Sequence, residues 1–462
     1  MVSAAEQLAA NLNFSSFAKA EDLKKRLWFT LGALLVYRFG TFIPIPGINP
    51  VAFAETFNQA QNGILGMFNT FAGGAVERMA IFALNIMPYI SASIIMQLMT
   101  SVDKRLEALK KEGEQGRKQI NQYTRYLTLV LAAAQAYGIA IGLEGSTAAR
   151  AGAVVTDPGM FFRLTTVITL VGGTMFLMWL GEQITQRGIG NGISLIIFAG
   201  IVAGLPSAII NLFELTRNGS MSMFLLFALI ALMLFVVGAI VFIERSQRRL
   251  LIQYPKRQTA AGPQNENSSH LPLKLNTAGV IPPIFASSLL LLPITVAQFS
   301  VGSDGTGPEW LTNIVALLGR GQPLYLIVFI SLIMFFAFFY TAVVFNPKDT
   351  ADNLRKYGGF IPGIRPGDKT AEYIDYVLTR ITVLGAIYLA AVCVLPEALI
   401  AYAAVPFYFG GTSLLIAVSV TMDTVAQVQS HLLAHQYEGL IKKAKLRGGN
   451  RAPVPKITKG RR

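Results

Sequence analysis

The residue types that carry most enzyme chemistry are scarce in this chain, and where they occur their spacing is wrong. A phosphate-cradling loop needs Gly-x-x-x-x-Gly-Lys-Ser/Thr, with backbone amides around the phosphates and a lysine reaching their oxygens. The nearest string, Gly359 to Lys369, lacks the lysine at the required place. There is no His-Glu-x-x-His and no serine in a Gly-x-Ser-x-Gly elbow, and the single cysteine, Cys393, can form no internal disulfide. His431 and His435 stand at i, i+4, which puts two imidazoles on one helix face, but they lie in a basic tail with no third ligand in view. The expectation is a protein that is not an enzyme and uses no nucleotide, metal or cofactor.

What the chain offers instead is branched apolar side chains paired at helical spacing: Ile86 with Ile90, and Ile193 with Ile197. Converging on a narrow waist, such side chains would make a gasket that excludes water and ions. The same spacing equally suits helix faces turned to lipid or to a static core. Charged residues are nearly absent from the apolar runs. Arg38, Glu182 and Asp423 fall near their ends, where snorkelling or end-capping accounts for them, whereas an ion-coupled transporter needs such groups at mid-membrane.

Positioning those residues requires a membrane scaffold. The 462 residues are 53% hydrophobic and 14% charged, against roughly 25% charged in soluble domains. Apolar runs of spanning length lie at about 27–43, 79–100, 124–142, 161–180, 191–212, 222–243, 275–299, 324–345, 376–396 and 406–430, ten in all. Residues 1–22 contain no apolar core of a cleavable signal, so the first span is expected to direct insertion. With both ends inside, the cytoplasmic segments hold 33 of the 39 lysines and arginines, the asymmetry that sets orientation in membranes.

Before the second span, Ile64 to Ala72 is an apolar run too short to cross a bilayer, fenced by Gly63 and by Gly73-Gly74. It fits a re-entrant stopper feeding a pore wall, and it also fits an interfacial amphipathic helix. An internal echo follows. IMPYISAS from Ile86 matches IPPIFASS from Ile281, aligning Pro88 with Pro283 and Ser93 with Ser288. The two spans lie five apart, an odd number, so the halves would be inverted in the membrane. Matching helices would then meet over small residues, Ser91 to Ser93 against Ala286 to Ser288, either as a separable seam or as ordinary packing.

Two cytoplasmic connections, 244–274 and 346–375, are long for a compact bundle. The second contains GGFIPGIRPGD, an ordered, turn-rich tip that displays Arg365. An arginine held between two turns is suited to meeting a partner.

The strings RFGTFIPIPGI, FNTFAGGAVERMAIFALNIMPYISASI, KKEGEQGRKQINQYTRY, TMFLMWLGEQITQRGIGNGISLIIFAGIVAGLP, LPLKLNTAGVIPPIFASS, FFYTAVVFNPKDTADNLRKYGGFIPGIRPG and VPFYFGGTSLL carry a family with them. Along essentially its whole length the sequence resembles the SecY/Sec61 alpha family, central subunits of protein-conducting channels. The resemblance implies an all-α polytopic fold of ten transmembrane helices in two inverted five-helix halves, an hourglass channel with a plug helix at 64–72. It implies a cytoplasmic segment 1–26, an N-terminal half 27–212, a C-terminal half 213–430 and a basic cytoplasmic tail 431–462. The pore ring would be Ile86, Ile90, Ile193, Ile197, Ile284 and Ile416. The plug would include Ile64, Leu65, Met67, Phe68, Phe71, Gly73 and Gly74. A lateral gate between spans two and three and spans seven and eight would involve Ser91, Ser93, Asn276, Thr277, Ser287 and Ser288. Lys256, Arg257, Lys348, Arg355, Lys356 and Arg365 would dock a motor or a ribosome.

As partners the resemblance implies the small membrane subunits SecE and SecG, the motor SecA, a ribosome, secretory preproteins with their signal sequences, membrane lipid, and SecDF and YidC, with no nucleotide bound directly. It places the protein in the bacterial inner membrane. On the residues alone, a solute transporter and an insertase or scaffold without a pore stand beside the channel. The uncharged axis favours a channel over the former, and a stopper has no role in the latter.

Overall fold

The computed structural model describes residues 21–60, 69, 71–145, 154–219, 222–254, 268–300, 322–403 and 411–447. The chain opens with α1 (Glu21–Gly40) and the short α2 (Pro50–Ala60), followed by α3 (Met87–Val102), α4 (Lys104–Lys111), α5 (Glu114–Gly145), α6 (Met160–Arg187), α7 (Gly192–Arg217) and α8 (Met223–Arg245). A hairpin of β1 (Gln247–Gln253) and β2 (Ser268–Lys274) comes next, then α9 (Ile281–Ser300), α10 (Pro323–Val344), α11 (Pro347–Lys356), α12 (Asp368–Ala403) and α13 (Gly411–Arg447). Every expected span has a helix as its counterpart. Among the described residues seven helices are long and apolar enough to cross a membrane. Two of them, α6 and α8, carry Phe161, Phe224 and Phe235 on their outward faces, and α1 carries Phe39, each more than two-thirds exposed. Such surfaces suit lipid, with every backbone group of a span satisfied inside its own helix.

Local chemistry fixes the helix starts. Side-chain oxygens of Asp103, Asn191, Ser222 and Asn346 accept bonds from the amides of Arg105, Ile193, Leu225 and Lys348, satisfying donors that have no partner inside the helix. Proline does the same work differently in α3 and α9. Pro88 stands in the first turn of α3, and Pro282 and Pro283 in the first turn of α9, where a missing N–H costs nothing.

The second span therefore differs from expectation. It was expected from Met79 with Pro88 in its interior, whereas the helix begins at Met87 and residues 72–86 form a chain of turns. Two left-handed residues, Met79 (φ 45°) and Asn85 (φ 49°), break any helix there. The segment pairs instead with the end of the first span: Ile45 N donates to Met79 O (3.0 Å) and Ile81 N to Ile43 O (3.0 Å). In the same way the seventh helix starts at Ile281, not near residue 275.

The hairpin was not expected either. β1 and β2 pair antiparallel from Gln247 opposite Lys274 to Gln253 opposite Ser268. Beneath it lies a small separate core, with Leu250 and Leu273 from the strands, Ile361 from the loop before α12, and Ile374 and Ile381 from α12. The main core runs through the bundle where α1, α3 and α6–α10 converge with α12 and α13.

Candidate pore waist and docking surface

Five of the six ring isoleucines meet. Ile86 precedes α3 and Ile90 lies in its first turn, Ile197 comes from α7, Ile284 from α9 and Ile416 from α13, and together with Phe71, Asn85, Met87 and Ser287 they line one cavity in the bundle centre. Its free volume is ≈ 10 Å³, room for about one water molecule. Ile86, Ile90, Ile197 and Ile416 are buried. The cavity wall is mostly branched hydrocarbon, with Asn85 and Ser287 as the polar residues lining it. Ile193 does not line this cavity. It lies one turn earlier on α7, beside Gly181 of α6, because the sharp turn at Asn191 brings those two helices into backbone contact.

Of the expected stopper, Ile64, Leu65, Met67 and Phe68 lie outside the described residues. Phe71 is buried and reaches the cavity, and Gly73 (φ 63°) and Gly74 (φ 83°) turn the chain away from it. Arg38, expected to snorkel or cap, has its Nη1 donating to Gly73 O at 2.6 Å. Glu182 is likewise no free end-capping group, since it receives Nε and Nη2 of Arg125 at 3.1 and 2.5 Å and so joins α6 to α5. Asn85 was missed at the sequence level. Its signal was available, since a lone amide within the apolar run 79–90 must find a partner once buried.

α9 packs against both α3 and α5. Ser91, Ser287 and Ser288 are buried in this region, Ser93 is half-buried, and the Ser287 hydroxyl donates back into its own helix, to Ile284 O (2.9 Å). Seams of small, weakly polar residues bring helices close while placing few specific bonds across the seam. Asn276 stands below them on the link from β2 to α9 and donates to Glu244 Oε1 (2.7 Å) and to Gly279 O (3.0 Å), which ties the foot of α9 to the end of α8. Thr277 closes the same link, donating to Lys274 O (3.0 Å).

Lys348, Arg355 and Lys356 are exposed on α11, and Lys256 and Arg257 lie outside the described residues. Arg365 is exposed on a tip pinned from beneath by Ile361 and Ile364, and Thr370 Oγ1 donates to its carbonyl at 2.9 Å. The tip is thus stiff while its guanidinium remains open to solvent.

The profile of the SecY family matches residues 80–425. The chain is 54% identical over 437 residues to the protein translocase subunit SecY of Rickettsia bellii, covering 95% of this chain and 100% of that one. The chain belongs to the SecY family. To the Escherichia coli K12 SecY subunit it is 56% identical over 431 residues, 93% of this chain and 96% of the relative. Among solved structures it is similar in fold to a protein-conducting channel (TM-score 0.62, 16% identity, 88% of this chain and 92% of that one). It is also similar to Sec61 in the canine ribosome–channel complex of the endoplasmic reticulum (TM-score 0.61, 16% identity, with the same coverage). The ten spans are those of the SecY fold, and the protein is a multi-pass membrane subunit of a protein-translocating channel.

Proposed function

We propose that the waist is the pore constriction of this channel and that it conducts unfolded secretory polypeptides across the bacterial inner membrane, with both chain termini cytoplasmic. The observation that carries this reading is the ≈ 10 Å³ cavity lined by Ile86, Ile90, Ile197, Ile284 and Ile416 with Phe71 against them. Isoleucine has no fixed partner to lose, so the ring can widen around a chain of any sequence and close behind it. Phe71 and the run before it act as the plug. The seam of α9 against α3 and α5 is the lateral gate through which membrane segments leave for lipid, with Asn276 and Thr277 at its foot. No group of the chain supplies energy, so a partner does. The basic face of Lys348, Arg355, Lys356 and Arg365, together with Lys256 and Arg257 of the sequence, receives the motor SecA or a ribosome; a neighbour in fold is itself described in a ribosome–channel complex. SecE and SecG complete the channel in the membrane, and SecDF and YidC work beside it.

The test is a photo-reactive amino acid at Ile90, with Phe161 on the lipid face as control. A stalled secretory chain should crosslink at residue 90 and not at 161. Crosslinking at neither, with translocation intact, would mean that the path lies elsewhere.

A further inference from the structure

Three consecutive carbonyls just below the waist each accept a side-chain hydrogen bond. Asn85 Nδ2 donates to Phe71 O at 2.7 Å, Tyr37 Oη to Ala72 O at 3.4 Å, and Arg38 Nη1 to Gly73 O at 2.6 Å. All three acceptor residues are buried. Phe71 ends a short helical stretch and Ala72 and Gly73 stand in turns; Ala72 O also accepts from Ala75 N at 3.3 Å, whereas Asn85 and Arg38 bring side-chain donors to Phe71 O and Gly73 O, and a buried backbone acceptor must be paired. The donors come from two separate places, α1 and the approach to α3. Gly200 of α7 closes the third side, since a Cβ there would overlap the Phe71 carbonyl.

We propose that Asn85 and Arg38, with Tyr37 between them, form a clamp on the backbone of Phe71–Gly73 that holds the Phe71 side chain in the closed waist. The inference rests on reading the waist as a pore. Asn85 suits the task because it belongs to both parts: it lines the cavity itself and also bonds the residue that fills it. Its left-handed backbone aims the amide there, a conformation asparagine tolerates better than most residues. Arg38 is an expensive way to satisfy one carbonyl. Its guanidinium lies 4.8 Å from the Phe42 ring centre while that of Arg78 lies 4.2 Å from the same ring, and among the described residues neither guanidinium has an ion-pair partner. Beyond the clamp the chain closes on itself, with Gly74 N donating to Asn69 O (3.0 Å) and Glu77 N to Asn69 Oδ1 (3.0 Å). The held carbonyls therefore fix the root of a small closed loop, and Tyr37, Arg38 and Asn85 are positioning residues for the seal.

The experiment measures resting conductance of the full-length channel with its partner subunits in planar bilayers, without precursor. Asn85→Gly keeps the left-handed backbone and removes the amide; Arg38→Met keeps length and removes the donor; Arg38→Lys restores a donor. Asn85→Gly and Arg38→Met should each raise resting conductance several-fold and speed hydrogen exchange at the amides of residues 72–75, with Arg38→Lys recovering much of the seal. Ile86→Ser with Ile90→Ser is the reference for an opened waist. If the ring variant leaks while both clamp variants stay at the wild-type level, the clamp is refuted and the pore reading stands. If the ring variant does not leak, the pore reading fails and takes the clamp with it. Should Arg38→Met not accumulate in the membrane, Asn85→Gly decides by the same criterion.

Discussion

The amide of Gln253 donates to the carbonyl of Phe360 at 2.9 Å, and the amide of Phe360 returns the bond to Gln253 at 3.0 Å. One residue pair thus joins the two long connections into a single ladder, with Gly359 close under the Tyr254 ring. Phe360→Pro deletes one of the two donors and should part the loops. Trypsin should then cut faster after Arg355 and Lys356, with overall helix content kept. An unchanged digestion pattern would show that the shared apolar core, and not the ladder, holds them together.

The ring prediction separates two neighbours on α7. Replacing Ile86, Ile90 and Ile197 together with serine lines the waist with hydroxyls, so it should wet and resting ion leakage should rise. Ile193→Ser, at a residue beside Gly181 and outside the cavity, should leave leakage near the wild-type level. Equal leakage from both would place Ile193 in the ring after all.

Arg365→Glu tests docking against topology. Orientation is set collectively by the lysines and arginines of many segments, so reversing one charge should leave membrane abundance unchanged. A docking arginine makes directed, charge-assisted bonds that glutamate would repel, typically at about 2–5 kcal/mol for a buried contact. Partner-driven translocation should collapse. Lys369→Glu is the matched control, an exposed residue whose ammonium is already paired with Glu372 at 2.8 Å. Precursor uptake by reconstituted vesicles that is equal for the two variants would remove Arg365 from the docking surface.

Gly411 begins α13 against the backbone of α12, and a Cβ there would overlap the Val392 carbonyl. Gly411→Ala should therefore force the two helices apart at about 1–3 kcal/mol. Gly238→Ala, in the interior of α8 with nothing within 4 Å of the added methyl, should be neutral or slightly stabilising. Melting of the purified protein in detergent compares the two, and an equal midpoint would contradict the close approach.

Length and hydrophobicity made all ten spans legible, because a bilayer imposes both on any helix that crosses it. Helix starts were less legible. Nothing local in Met79–Asn85 forbids a helix; the segment is unwound by pairing with Ile43 and Ile45, residues about forty positions away. The hairpin did leave a trace, since SSHLPLK alternates polar and apolar residues, but the alternation is short and sits inside a connection already explained by its charge. At the waist the isoleucines were legible as a set through resemblance. The separation of Ile193 from Ile197 was not, because it depends on how closely Gly181 and Gly192 let α6 and α7 approach. Arg38 was misread for a related reason: the end of an apolar run indicates depth in the membrane, whereas the carbonyl it serves, Gly73 O, is brought to it only by the fold.

The ≈ 10 Å³ left at the waist also bears on bioenergetics. Protons cross barriers that stop larger ions by hopping along continuous files of water, and one isolated molecule is not a file. A membrane that stores energy as a proton gradient holds about 2.3 kcal/mol per elementary charge for each 100 mV. Every idle copy of a channel wide enough for a polypeptide would dissipate that store if its rest state were merely narrow. On the proposed reading of the waist, the lack of room for a file of water, beyond narrowness, is what lets many idle copies coexist with an energised membrane.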